Sequence, residues 1–385
     1  VDLKYSEAEE RFRLEARAWL EANVPASPLP SGDTREGFAL HVEWEKKLYA
    51  ARWSVVSWPK QYGGREASVW EWLIFEEEYY RAGAPQRVTQ NGIFLLAPTL
   101  FAFGTQAQRD RVLPKMASAD QLWCQGWSEP GAGSDLAAVR SKAVRVDGGY
   151  RLSGEKTWCT RGAFCDSMFG LFRSDPDAVP HKGMTYFMVP LNAPGVRVNG
   201  VGRLDGDEGF SQVFLDDVFV SDDNVIGEVN KGWQVAMATT GSERGLTLRS
   251  PGRFRAAARR LIELHRRSSH ADPVLRDRVI QAWMDAEAYE LHTLRSVTRI
   301  CAGESLGAES SLNKVFWSEL DVDLHKTALA LLGPAAELVD GASDAVDGGA
   351  WMKGYQFSLA GPIYAGTNEI QRNVIAERLL GLPRR

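Results

Sequence analysis

The sequence predicts an α+β protein with an N-terminal α-helical domain (1–120), a central β-barrel or sandwich domain (121–226) and a C-terminal four-helix-bundle domain (227–385). Three observations predict it. Apolar residues recur at helical spacing up to about residue 120 and again after 227. Between those points they alternate, in short runs separated by Gly, Pro and Asp clusters. Within that middle part, Asp147-Gly148-Gly149 lies between Ala143–Val146 and Tyr150–Leu152, which is a hairpin signature.

In the first region, Ser6 with Glu9 forms a capping box ahead of Phe12, Ala16, Trp19 and Leu20 at helical spacing. Pro25, Pro28 and Pro30 end that helix. Trp44 and Leu48 mark a second amphipathic helix, and Val69–Arg81 a third, with Trp70, Leu73 and Ile74 inward. The apolar run 91–103 reads as a buried helix closed by Gly104, and Gln106–Met116 as a short one. Strands are expected at Leu122–Trp127, Ala143–Val146, Tyr150–Leu152, Lys156–Cys159, Met168–Phe172, Thr185–Val189, Val196–Val198 and Gln212–Val220. Helical spacing returns at Trp233–Thr240. Ser250 before Pro251 then reads as a cap and first turn of a new helix carrying Phe254, Ala258, Leu261 and Ile262. A long helix follows over 272–301, with Ile280, Trp283, Ala286, Tyr289 and Leu294 as its core positions. Further helices are expected over 313–332 and 368–380.

Bulk properties exclude several classes. The net charge is −5 with no long basic cluster, which argues against a nucleic-acid partner. No apolar run approaches the roughly 20 residues that span a bilayer. The first residues lack a signal-peptide pattern, so a cytoplasmic protein is expected. Cys124, Cys159, Cys165 and Cys301 lack metal-type spacing and read as reduced, mostly buried thiols, and the histidines form no zinc motif. No metal is expected.

The stretch from Trp123 to Asp166 carries the chemistry. Ser128-Glu129-Pro130-Gly131-Ala132-Gly133-Ser134-Asp135 is a Gly-rich loop whose backbone N–H groups can approach an anion, because Gly131 and Gly133 have no Cβ in the way. Ser128, Ser134 and Thr160 add hydroxyls, and Trp127 and Trp158 add flat apolar faces. The hairpin brings the loop and the Trp158 segment together, which suits a planar, polyanionic ligand. An ordinary loop between two strands has the same composition.

Four motifs in order resemble the acyl-CoA dehydrogenase family: Ser-Glu-Pro-Gly-Ala-Gly-Ser-Asp at 128–135, Gly-Glu-Lys-Thr-Trp-Cys-Thr at 154–160, Gly-Glu-Val-Asn-Lys-Gly-Trp at 227–233, and Ile-Tyr-Ala-Gly-Thr-Asn-Glu-Ile-Gln-Arg at 363–372. The resemblance covers essentially the whole chain. It implies FAD held between the β domain and the C-terminal helices, and α,β-desaturation of an acyl-CoA thioester. By the same resemblance, Gln125, Trp127 and Ser128 lie along the isoalloxazine. Trp158 covers it, Thr160 bonds near its reactive nitrogen, and Thr367 and Glu369 contact the adenosine part. Ser134 is implied at the pyrophosphate or the acyl-CoA, with Arg244, Tyr364, Ala365 and Gly366 around the substrate.

The sequence departs from the commonest family pattern in two ways. Where that pattern has Tyr-Glu-Gly-Thr with the glutamate as base, this chain has Tyr364-Ala365-Gly366-Thr367, and alanine cannot abstract a proton. A minority of the family, the isovaleryl- and long-chain-type enzymes, places the base on an earlier helix just before an arginine. Gly241-Ser242-Glu243-Arg244 stands at that place, which makes Glu243 the candidate base. The family's Arg-x-x-Phe, lent to FAD by a neighbouring subunit, is missing from 265–272, and Leu331-Leu332-Gly333-Pro334 replaces the usual Gln-Gly-Gly region. The expected partners are therefore an acyl-CoA substrate, an electron-transfer flavoprotein as acceptor, and a homotetramer or α2β2 heterotetramer. The alternatives are a non-catalytic or half-site subunit of such a heteromer, or a flavin monooxygenase or oxidase on the same scaffold.

Overall fold

The computed structural model describes residues 4–268, 272–304, 307–339 and 342–384; the side chains of 241–250, Glu243 and Arg244 among them, lie outside the described residues. The chain divides into two compact units. A helical unit comprises Val1–Val24, Ser68–Ala84 and Leu246–Arg385; a sheet unit comprises Pro25–Ala67 and Pro85–Gly245.

The N-terminal helices are α1 (Glu7–Asn23), α2 (Arg35–Ala50), α3 (Val69–Arg81), α4 (Ala97–Phe103) and α5 (Gln106–Ala117). The Ser6–Glu9 capping box forms as expected, and Ser68–Glu71 and Thr105–Gln108 repeat it on α3 and α5. The apolar run expected as one helix opens as a π-helical turn, Asn91–Leu96, before α4. Such turns widen a helix locally and are frequent at functional sites.

Eight strands follow: β1 (Trp123–Gly126), β2 (Lys142–Val146), β3 (Gly149–Lys156), β4 (Ser167–Arg173), β5 (Met184–Pro190), β6 (Val196–Val201), β7 (Phe210–Ser221) and β8 (Val225–Ile226). They form one sheet in the order β6-β7-β3-β2-β4-β5-β8, with β1 parallel to β4. The predicted hairpin is β2–β3, paired antiparallel from Val146↔Gly149 to Lys142↔Ser153. Two strands expected at 150–152 and 156–159 are instead the single strand β3, bulged between Leu152 and Gly154 where it pairs with β7. Gly154 has φ 146°, and a Cβ there would stand 2.3 Å from Ser141 Oγ, so only glycine fits that crossing. Residues 157–159 are not strand.

The sheet has two apolar faces. Cys124, Met168, Phe172, Phe187 and Val189 point into the β core with Leu152, Val213 and Val218. By alternation Trp123, Gln125, Phe169, Leu171 and Tyr186 point the other way. Phe169 and Tyr186 stack there at 6.3 Å. A Cβ on Gly92 would stand 3.0 Å from Met116 and 3.5 Å from the Trp123 ring, so the π-helical turn lies against β1.

The C-terminal helices are α6 (Gly232–Arg267), α7 (Pro273–Cys301), α8 (Ser310–Leu332), α9 (Ala350–Ser358) and α10 (Asn368–Val374), the last running into a π-helical turn, Ile375–Leu379. The helix start expected at Ser250-Pro251 does not occur, because α6 is continuous and holds Pro251 in its interior. Proline there removes one hydrogen bond, but Phe254, Ala258 and Leu261 beyond it are buried in the helical core. Ala286 and Tyr289 of α7 are buried as expected, whereas Ile280 is exposed and its neighbour Val279 takes the inward position. All four cysteines are free; Cys124 and Cys159 are buried, and Cys301 is exposed at the end of α7.

The helical unit contains a strained carboxylate. Arg255 on α6 meets Glu77 (3.0 Å), Glu287 (3.1 Å) and Glu290 (2.7 Å), three acids on one guanidinium. Burial pushes the Glu290 carboxyl up to about 7; Glu77 and Glu287 add to the rise and Arg255 opposes it. A carboxyl raised in the folded state contributes stability that is full below its ordinary value and is lost as pH rises through about 7. Glu290→Gln is therefore expected to raise stability by about 1–3 kcal/mol near pH 8 and to make little difference near pH 5, read by urea unfolding at both.

Candidate functional site

The two sequence motifs of the β domain are joined by a buried ion pair. Lys156 Nζ on β3 lies 2.8 Å from Glu129 Oε1, and both side chains are buried. The Glu129 carboxylate also accepts the backbone N–H groups of Arg140 (2.6 Å) and Ser141 (3.0 Å), closing the loop from 129 to 141 on itself. Lys156 donates further to the Leu171 carbonyl at 2.7 Å and lies over the Phe172 ring. Burial disfavours the charged Glu129, yet Lys156 and the backbone donors outweigh it and hold the carboxyl below its ordinary value. Burial also lowers Lys156, against the pull of Glu129. Thr157 N–H donates to the Ser128 carbonyl at 2.9 Å, completing the junction. Glu129 and Lys156 therefore hold the loop in place, a function the sequence motifs do not reveal.

This junction places Trp127 and Ser128 at the end of β1 beside the 157–160 segment. Gln125, Trp127, Ser128 and Thr160 are half-buried; Trp158 is 59% exposed. Trp158 has φ 58°, a left-handed conformation that is a genuine outlier for so bulky a residue. The segment around it is held by Cys159 N–H on the Ser211 carbonyl and Arg161 N–H on Gly209. Arg161 also pairs with buried Asp33 at 2.6 Å, and Arg203 takes the other Asp33 oxygen. An indole is thus presented outward on a fixed backbone. A Cβ on Gly131 or Gly133 would meet nothing within 4 Å, so packing inside the chain does not require glycine there. Ser134 is exposed on the same loop.

On the outer face of β1, the Trp123 indole nitrogen and the Gln125 amide nitrogen are buried without a hydrogen-bond partner. Buried donors are almost always satisfied, and these two lie on one strand face.

The other predicted residues lie in the helical unit, on the turn between α9 and α10. Ala365 (φ 54°) and Gly366 (φ 80°) are both left-handed, and Gln371 Nε2 donates to the Ala365 carbonyl at 3.1 Å. Thr367 caps α10, its hydroxyl accepting from Ile370 N–H at 3.2 Å and hydrogen-bonding to the Glu369 carboxylate. Glu369 is exposed in the first turn. Asn368 is buried and accepts from Lys314 (2.9 Å) and Ser318 (3.1 Å). Tyr364 packs on Trp317, and burial pushes its hydroxyl up to about 12, which excludes it as a base near neutrality. The side chains of Glu243 and Arg244 are outside the described residues; the backbone places both on α6.

Three family models match in chain order: the acyl-CoA dehydrogenase N-terminal domain over 6–120, middle domain over 124–218 and C-terminal domain over 230–380. The acyl-CoA dehydrogenase IpdE1 of Mycobacterium tuberculosis is 37% identical over 97% of this chain and 98% of its own. The chain belongs to the acyl-CoA dehydrogenase family. Among solved structures, this acyl-CoA dehydrogenase resembles the Tcur3481-Tcur3483 steroid ACAD, with a TM-score of 0.91, 27% identity and complete coverage of both chains. It also resembles the ChsE4-ChsE5 complex from Mycobacterium tuberculosis, with a TM-score of 0.86 and 28% identity over all of both chains. It is a flavoprotein oxidoreductase whose cofactor is FAD. The residues present fit that group: the outward indole of Trp158 offers a flat face, and the orphaned donors of Trp123 and Gln125 match the carbonyls and nitrogens of a flavin. Among the described residues no cluster of His, Cys, Asp and Glu is arranged to hold a metal, and no helix is long and apolar enough to cross a membrane.

Proposed function

We propose that this chain desaturates an acyl-CoA thioester between its α and β carbons, with Glu243 removing the α-proton. The observation that carries the reading is Ala365. At the position where the commonest family pattern supplies the base, this chain presents a methyl group on a left-handed backbone, and the remaining carboxylate at a family base position is Glu243. Bound FAD supplies the acceptor for the β-hydride.

In this reading Gln125, Trp127 and Ser128 line the flavin, Trp158 covers it, and Thr160 donates near its reactive edge. Thr367 and Glu369 reach its adenosine part. Ser134, Arg244, Tyr364, Ala365 and Gly366 orient the thioester. A carboxylate base works best when the bound acyl group excludes water and raises its pKa toward neutrality. Charge growing on the thioester oxygen needs fixed N–H donors.

The substrate we propose is a bulky, ring-derived acyl-CoA. Support comes from the alanine at 365, which removes a side chain from the turn, and from the likeness to a structure titled a steroid ACAD. The electrons then pass to an electron-transfer flavoprotein. The assembly we propose is a homotetramer or an α2β2 heterotetramer. Ile280, Met284 and Leu291 are exposed at helical spacing on α7, an apolar stripe that suits a partner helix. The absent Arg-x-x-Phe favours a heteromer in which a second chain completes some of the FAD sites. A half-site reading follows if this chain alone does not retain FAD.

Anaerobic titration with a panel of acyl-CoAs tests the proposal. Bulky ring-derived thioesters are expected to bleach the bound flavin, and short straight-chain ones to do so far more slowly. No bleaching by any thioester, with FAD bound, would sink the dehydrogenase reading.

A further inference from the structure

A line of buried hydroxyls starts at Trp127 of the proposed site, passes through α6 and closes on the π-helical turn. Tyr186, Thr239 and Thr99 are 0%, 0% and 1% exposed, and all belong to the sheet unit. The Trp127 indole N–H donates to Tyr186 OH at 3.2 Å. Tyr186 OH lies 3.3 Å from Thr239 Oγ1, which lies 2.8 Å from Thr99 Oγ1. Thr99 Oγ1 donates to the Leu95 carbonyl, 2.8 Å away in the π-helical turn.

Each hydroxyl has one proton, so the chain has a natural direction. The indole donates to Tyr186, Tyr186 to Thr239, Thr239 to Thr99, and Thr99 to a backbone carbonyl that closes the line. Thr239 can also turn its proton to the Val235 carbonyl at 3.0 Å. These groups sit among Phe169 and Leu171, where an unmet hydroxyl is costly and a satisfied chain is rigid. Ordinary burial of three hydroxyls explains why each is bonded. It does not explain why the line starts on a motif tryptophan and passes through the residue one turn before Glu243. Positions 239 and 243 are four apart on the continuous helix α6.

We propose that Thr99, Thr239 and Tyr186 form a positioning relay that fixes the Trp127 indole relative to the turn of α6 that carries Glu243. The relay thereby sets the alignment of flavin and base. In this proposal the three act through Trp127 and α6, so they are positioning residues. The proposal rests on Glu243 as base.

The test uses full-length, FAD-loaded protein carrying Tyr186→Phe, Thr239→Val or Thr239→Ser. Tyr186→Phe and Thr239→Val are expected to lower kcat about tenfold, the scale of one misaligned hydrogen bond, with KM near the wild-type value. Thr239→Ser, which keeps the hydroxyl, is expected to restore kcat. The visible band of the bound flavin should shift in Tyr186→Phe as the indole loses its anchor. The double variant Tyr186→Phe with Thr239→Val should be no worse than either alone. Should Thr239→Val not fold, Tyr186→Phe decides, since it removes a single oxygen. Unchanged kcat and flavin spectrum in Tyr186→Phe overturn the relay, as does a Thr239→Ser enzyme as slow as Thr239→Val. Glu243→Gln separates the two ideas. If it retains turnover, the base assignment fails; if it is inactive while the relay variants behave as wild type, only the relay fails.

Discussion

Glu243→Gln is expected to keep FAD bound while acyl-CoA oxidation falls by about a hundredfold to ten-thousandfold, the range that a positioned general base supplies. The amide matches the carboxylate in size but cannot accept the α-proton. Substrate binding should change little, so the loss should appear in kcat rather than KM. The flavin spectrum of the free variant should match wild type, because the proposed flavin contacts are other residues, Gln125, Trp127, Ser128 and Trp158 among them. Restoring a glutamate at 365 in the Glu243→Gln background gives a second reading. If the backbone there presents the side chain as in the commoner family pattern, Ala365→Glu should recover part of the rate.

Lys156→Met should strongly destabilise the β domain. It leaves the Glu129 carboxylate buried beside a thioether, and breaking one side of a buried ion pair costs about 3–5 kcal/mol. The two backbone N–H donors from Arg140 and Ser141 remain, which places the expected loss toward the lower end. Adding Glu129→Gln to Lys156→Met should recover part of it, since a neutral amide needs no counter-charge. The pH dependence has a definite sign. Glu129 is held below its ordinary carboxyl range, so its contribution is present above that range and is lost as pH falls through the depressed value. In Lys156→Met this acid-side loss should vanish. Urea unfolding across the acid range measures both effects. FAD retention should fall with stability, because the same pair joins the two motifs.

Much of this architecture was legible in the sequence, and the exceptions share physical causes. The Ser6–Glu9 capping box, the β2–β3 hairpin and the switch from helical to alternating spacing are local signals, and each appears where expected. The π-helical turn at 91–96 has no local signature distinct from a buried helix. The break expected at Ser250-Pro251 did not occur, because burial of Phe254, Ala258 and Leu261 outweighs one lost hydrogen bond. Ile280 and Val279 are adjacent and both apolar, so periodicity alone could not choose between them. At the site, the sequence identified Trp127, Ser128 and Trp158 by type. The roles of Glu129 and Lys156 became visible only once the chain had brought residues 27 apart in sequence to 2.8 Å. Thr99, Tyr186 and Thr239 lie on three distant segments, and nothing in their local sequence marks them.

If Glu243 takes the α-proton of a thioester, it must also catalyse exchange of that proton with solvent. An acyl-CoA with no hydrogen on its β carbon can lose an α-proton but cannot be oxidised. Incubated in deuterium oxide with the FAD-loaded enzyme, it should gain deuterium at the α carbon with wild type and not with Glu243→Gln. Equal deuterium uptake by the two proteins would contradict the account.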